Sequence, residues 1–171
     1  SSAFMNLKKL PKRIAIIGAG YIGMEFASIA SAFGSQVTVI LRADKALRKF
    51  HQPFVEKIIA KLSQAGVIFI KNATVNSFSD DFDSKTIHYN DTEKVKADWI
   101  LDATGRTPNT TSLGLEGIGV DYDKDGVIVN DYLQTTVPHI YASGDVLKKT
   151  QPKLTPTAIF ESIYLMKTFT G

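Results

Sequence analysis

Arg13-Ile14-Ala15-Ile16-Ile17-Gly18-Ala19-Gly20-Tyr21-Ile22-Gly23-Met24-Glu25 joins a short apolar run to a glycine turn that opens directly into a helical pattern. The run suits a buried strand, and the turn reads as a phosphate cradle. Gly18 permits the tight turn, Gly20 lets backbone approach a pyrophosphate, and Gly23 lets the next helix pack close to the strand. That helix directs its N-terminal N–H groups and the positive end of its dipole at the anion. Gly18, Gly20, Tyr21, Ile22 and Gly23 are therefore candidate cofactor-binding residues. Glycine spacing alone is weak evidence, but here the strand, the helix and a second strand lie where a dinucleotide site requires them.

The second strand selects the nucleotide. Gln36-Val37-Thr38-Val39-Ile40-Leu41 follows the helix-ending Gly34-Ser35. Its end lies about 20 residues past the glycines, where an NAD or FAD site usually carries an acid for the ribose hydroxyls. Leu41 stands there, Arg42 follows, and Arg48 comes six residues later. An acid would repel a ribose 2′-phosphate, whereas a guanidinium grips it through two parallel charge-assisted bonds. The pattern points to NADPH. The alternative is a solvated basic loop.

A chain of 171 residues with 44% hydrophobic content makes one ordinary domain or a little more, with a core of its own. The net charge of +3 is spread over interspersed acids and bases, which gives no nucleic-acid footprint beyond the local arginines. No stretch approaches the roughly 20 apolar residues of a membrane span, and the opening residues lack signal-peptide character. The expectation is a cytoplasmic protein with neither a nucleic-acid nor a membrane partner. With no cysteine, the chain has no internal disulfide, thiolate nucleophile or cysteine-type metal site. His51, His88 and His139 show no ligand spacing, so no metal site is expected.

Around the opening motif the chain reads as follows. Leu7 to Pro11 is a lead-in with no core face. The helix from Tyr21 to Phe33 carries Ile22, Phe26, Ile29, Ala30 and Phe33 on one stripe, and a second helix starting at Pro53 carries Phe54, Ile58, Ile59 and Leu62. Val67 to Ile70 is a third buried strand. This order implies a parallel sheet with right-handed crossovers. Three short alternating runs between Thr74 and Ala97 form an antiparallel meander replacing one crossover helix, and Trp99 to Ala103 returns to the sheet. Gly105, which allows close backbone approach to a nucleotide, and Arg106, suited to a phosphate or an acid, follow at the carboxyl end, the ligand-binding edge of such sheets; the alternative is an ordinary loop. After a surface excursion, Gly126–Asn130 and Ile140–Val146 are strand-like. Thr155 serves as N-cap and Pro156 as first residue of a last helix. The fold class is α/β: a Rossmann-like parallel sheet with an antiparallel β-meander crossover.

Gly18–Glu25, Ala103–Asn109 and Thr136–Asp145 match, in order, three motifs of the pyridine-nucleotide:disulfide oxidoreductases, flavoenzymes that include lipoamide dehydrogenase, mercuric reductase and glutathione reductase. The whole chain resembles this family, and Arg42 and Arg48 in their Asp44-Lys45-x-Leu47-Arg48-x-Phe50 setting are most similar to glutathione reductase. Two departures are Gly23, often alanine in that NADP-dependent branch, and His51, where an aspartate is common. The resemblance implies residues 1–11 as a linker from an FAD segment, 12–112 as an NADP-binding domain and 113–171 as a returning FAD-domain segment.

It also implies roles. Tyr21 resembles the aromatic lid over the flavin, with a buried core tyrosine as the alternative. Glu25 resembles the acid that pairs with a flavin-side lysine; that lysine is absent here, so Glu25 should be solvated. These two are the catalytic candidates. Asp145 resembles the carboxylate bonded to the flavin's ribityl chain, and the Thr155 helix start resembles the one whose dipole faces the flavin's pyrimidine end. The implied parent is a homodimer, paired through a C-terminal domain, that moves hydride from NADPH to FAD and electrons on to a disulfide substrate. The present chain is expected to be its inactive, colourless, NADPH-binding middle. The alternatives are another NADPH flavoenzyme of mercuric-reductase type, or a stand-alone NADPH-sensing module that covers Ile159, Ile163 and Leu165.

Overall fold

A computed structural model describes residues 2–150 and 153–170, which divide between Gly105 and Arg106 into two compact units. The first contains α1 (Ser2–Met5), β1 (Arg13–Ile17), α2 (Tyr21–Ala32), β2 (Gln36–Ile40), α3 (Gln52–Gln64), β3 (Ile68–Ile70), β4 (Val75–Asp81), β5 (Ser84–Tyr89), β6 (Glu93–Ala97) and β7 (Trp99–Asp102). Four strands form a parallel sheet in the order β3-β2-β1-β7, and β4-β5-β6 form the antiparallel meander.

β1 is central, which explains its unbroken apolar run: a parallel strand covered on both faces has no polar side. Successive side chains alternate between two cores. Ile14 and Ile16, with Val37 and Val39 of β2, pack against Met24, Phe26, Ala27, Ala30 and Val55 of the helices. Ala15, Ile17 and Ile40 pack on the other face against Ile87, Tyr89 and Ala97 of the meander. The meander thus occupies the layer a crossover helix would otherwise fill.

Four expectations are corrected here. The lead-in does have a core face: Phe4 is buried, Leu7 and Leu10 pack beside it, and its ring lies 4.6 Å from Phe26 and 5.7 Å from Trp99. On α2 the buried face runs through Gly23, Met24, Phe26, Ala27 and Ala30, leaving Ile29 and Phe33 exposed. On α3 it is Val55 and Leu62 that are buried, while Phe54 and Ile58 are exposed. β3 is an edge strand with Ile68 facing out. Each helix buries a different face from the one its largest side chains suggested; on α2 that face includes the small residues Gly23, Ala27 and Ala30, which let the helix sit close to the sheet.

The second unit contains little regular structure: the hairpin β8 (Tyr122–Asp123) and β9 (Gly126–Val127), two 3-10 turns (Glu116–Ile118 and Gly144–Val146) and α4 (Thr155–Thr170). Its small core gathers Leu115, Val120 and Val127. The strand-like stretch 126–130 pairs only through its first two residues and a bridge from Val127 to Leu147. The stretch 140–146 gives one bridge at Tyr141 and then bends, because Gly144 turns left-handed at φ 79. α4 starts one residue earlier than expected: Ala158 N–H bonds the Leu154 carbonyl at 3.0 Å. Leu154 is therefore the N-cap, and Thr155 and Pro156 lie in the first turn, where proline is tolerated. Of the residues a sensing module should cover, Leu165 is buried, but Ile159 is 54% and Ile163 44% exposed. Among the described residues no helix is long and apolar enough to cross a membrane.

Candidate functional site

The carboxyl ends of β1, β2 and β7 border a cleft of about 480 Å³ lined by Gly18, Gly20, Leu41, Arg42, Lys45, Arg48 and Thr104, among others. Each glycine has a separate reason. Gly18 lies at φ +100, and a Cβ there would come 2.6 Å from the Ala103 carbonyl oxygen. A Cβ on Gly23 would come 2.1 Å from the Gly18 carbonyl oxygen, whereas one on Gly20 would meet nothing within 4 Å. The first two glycines serve packing, while Gly20 leaves open room beside the helix start. Gly20 is the N-cap of α2 and makes no side-chain cap bond. Met24 N–H bonds back to the Gly20 carbonyl at 2.9 Å, so the N–H groups of Tyr21, Ile22 and Gly23 precede the helix ladder, the arrangement that binds phosphate oxygens.

The turn is anchored to both neighbouring strands, with Gly18 N–H donating to the Ile40 carbonyl and Ala103 N–H to the Ile17 carbonyl, each at 2.8 Å. Past β7, Asp102 Oδ1 accepts from Thr104 N–H at 3.0 Å and from its hydroxyl at 2.7 Å. These bonds hold the Asp102 carboxyl below its ordinary range and fix Thr104 at the cleft wall. The opposite wall is Arg42, Lys45 and Arg48, all exposed. Lys45 was missed as a site residue; it belongs to the basic loop, and only the fold shows that it faces the same cleft.

The structure therefore brings Gly18, Gly20, Arg42 and Arg48 together. Tyr21, Ile22, Gly23 and Glu25 lie in the first turns of α2 outside the cleft lining. Tyr21 is 54% exposed and so is not a core tyrosine, and Glu25 is exposed. Gly105, at φ +149 with open space at its Cβ position, is the last residue of the first unit, and the exposed Arg106 opens the second.

In the second unit Asp145 and Thr155 share a cleft of about 410 Å³ with Ala158, Ile159, Ser162 and Ile163. An exposed carboxylate, a helix start and an apolar wall suit a ring system with one polar edge. This cleft depends on a residue that the helical pattern hid. Glu161 is 8% exposed; it accepts from Gly144 N–H at 2.6 Å and from Lys149 Nζ at 2.8 Å. The Lys149 and Glu161 side chains are only 7% and 11% exposed. The pair fastens the Asp145 turn to α4.

The profile of the pyridine nucleotide-disulphide oxidoreductases matches residues 1–162. The chain is 40% identical to glutathione reductase from Nostoc sp., over 94% of this chain and 38% of that protein. The HOCl-induced flavoprotein disulfide reductase RclA from Escherichia coli superposes with a TM-score of 0.91 at 32% identity, covering 99% of this chain and 39% of that one. An engineered water-forming NADPH oxidase, made from the Lactobacillus brevis NADH oxidase and solved with NADPH bound, gives 0.86 at 30% identity, again with 99% and 39% covered. The chain thus spans well under half the length of each.

Proposed function

The chain belongs to the pyridine nucleotide-disulphide oxidoreductase family, and from that membership we propose that it is the NADPH-reading portion of a flavoprotein disulfide reductase of glutathione-reductase type. The observation that carries this reading is the seating of Arg42 and Arg48 in the cleft of Gly18 and Gly20, with apolar Leu41 where a ribose-binding acid would stand.

The engineered NADPH oxidase supports the same reading. Its substitutions remove an aspartate, place an arginine immediately after it and a second arginine six positions further on, and change a glycine eighteen positions before the aspartate to alanine. Gly23, Leu41, Arg42 and Arg48 stand at the same spacings here. Two changes have no counterpart: the serine placed two positions after the aspartate, where Ala43 stands here, and the glycine change, for which the contact between Gly23 and the Gly18 carbonyl explains why alanine would require the turn to shift.

The bonds are made by the cofactors, hydride passing from the nicotinamide to the flavin and electrons on to a disulfide. The protein supplies binding and orientation. The first-turn N–H groups of α2 hold the pyrophosphate, and Arg42 and Arg48 hold the adenosine 2′-phosphate. Tyr21, outside the core at the first residue of α2, is the lid candidate, and Glu25 the acid near it. Asp145 and the first turn of α4 are assigned to the flavin's ribityl chain and ring. Homodimerisation of the whole protein, its disulfide substrate and a cytoplasmic setting belong to the same proposal.

The test is equilibrium binding. NADPH is expected to bind at least about tenfold tighter than NADH, a gap of about 1.4 kcal/mol, and Arg42→Ala to close most of it. Equal affinities in the unaltered protein would refute the assignment.

A further inference from the structure

Leu47 sits in the left-handed region at φ 45, where a residue with a Cβ is strained. Such a residue persists only where its surroundings over-determine it. Its N–H donates to the Ala19 carbonyl of the glycine turn at 2.9 Å, and its own carbonyl accepts from Phe50 N–H at 2.8 Å. The remaining restraint comes from the first residue of α3. Gln52 Nε2 donates to the Phe50 carbonyl at 3.0 Å and the Leu47 carbonyl at 3.3 Å, with the Ala46 carbonyl at 3.5 Å. The adjoining N-cap, His51, makes no side-chain cap bond. The side chain that closes this loop is therefore the glutamine one position later.

Leu47 immediately precedes Arg48, and both line the nucleotide cleft, whereas Gln52 does not. Relaxing Leu47 to an ordinary backbone angle would swing Arg48 away from its present direction. We propose that Gln52 is a positioning residue for recognition of the 2′-phosphate: its amide holds the left-handed turn that directs Arg48 into the cleft. This rests on the NADPH reading above. It predicts that selectivity depends on a side chain that never touches the nucleotide.

The test is Gln52→Met, which keeps the length and removes the donor. NADPH and NADH are titrated calorimetrically into the unaltered protein, Gln52→Met, Arg48→Ala and the double variant. Gln52→Met should weaken NADPH about fivefold, the scale set by re-ordering one flexible side chain on binding. NADH affinity should stay unchanged. Arg48→Ala should cost clearly less in the Gln52→Met background than alone, because both act on one interaction. Full NADPH preference in Gln52→Met, or losses that simply add, overturns the proposal. An unaltered protein with no NADPH preference refutes the NADPH reading instead, and this proposal with it. Should Gln52→Met fail to fold, Gln52→Asn, whose amide falls short of the turn, carries the same expectations.

Discussion

The two clefts are built on opposite plans. The glycine cleft hangs on main-chain ladders: its turn is bonded to β2 and β7 on either side, and neighbouring backbone leaves no room for a Cβ at Gly18 or Gly23. The Asp145 cleft has almost no ladder, only two-residue strands and single bridges, and its turn is fastened by the buried Lys149–Glu161 pair. A ladder-built site tolerates side-chain changes but no added atom where a glycine abuts backbone, as Gly18 and Gly23 do. A pair-built site tolerates backbone irregularity but not the loss of one partner.

The largest effect should therefore fall in the second unit. Glu161→Ala leaves a buried ammonium uncompensated and frees the Gly144 N–H, a loss of about 3–5 kcal/mol. Denaturant melts should register the loss. Hydrogen exchange should place it, with protection falling at 140–170 while the β1 and β2 amides stay protected. A neutral Glu161→Ala would remove the contrast between the units. Next is Gly18→Ala, where a Cβ meets the Ala103 carbonyl at 2.6 Å and the backbone is at φ +100. About 2–3 kcal/mol is expected, read from the same melts. A variant as stable as the unaltered protein would mean that the turn can shift after all.

The smallest effect concerns acid. Asp98, just before β7, accepts from Arg13 N–H at 2.8 Å and from its Nε at 2.9 Å. The Arg13 side-chain bond holds the Asp98 carboxyl below its ordinary range. A carboxyl lowered by folding stabilises above its unfolded value of about 3.9, and that contribution is lost as pH falls through the folded value. Asp98→Asn should thus be less stable at neutral pH and show a flatter stability curve between about pH 5 and pH 2. Parallel curves for the two proteins would dismiss the pair as a fastening of the sheet edge.

What the sequence disclosed follows the same division. The apolar run from Ile14 to Ile17, the glycine turn, the meander and the return at Trp99 were legible because each follows from local chemistry: burial on both faces, required backbone angles, alternation. The Arg42 and Arg48 cluster was legible because it stands one step past a landmark. Glu161 was not, since an acid in a helix is ordinarily solvated and its burial is made tolerable by Lys149 and the Gly144 N–H, which the fold brings beside it. Gln52 was hidden for a similar reason, its partners being carbonyls of a turn that side-chain pattern does not reveal. The phase of α2 was set by how closely Gly23, Ala27 and Ala30 let the helix approach the sheet, which hydrophobic size alone does not encode, and α3 turns in Val55 and Leu62 rather than the larger Phe54.

The central claim, that two guanidinium groups read a phosphate on the adenosine ribose, can be isolated from nicotinamide and flavin alike. Calorimetric titration of the 171-residue chain with adenosine 2′,5′-bisphosphate and with adenosine 5′-monophosphate compares ligands that differ only in that group. The bisphosphate should bind at least about tenfold tighter, with the advantage shrinking as salt rises. Equal binding of the two, at any ionic strength, would contradict the account.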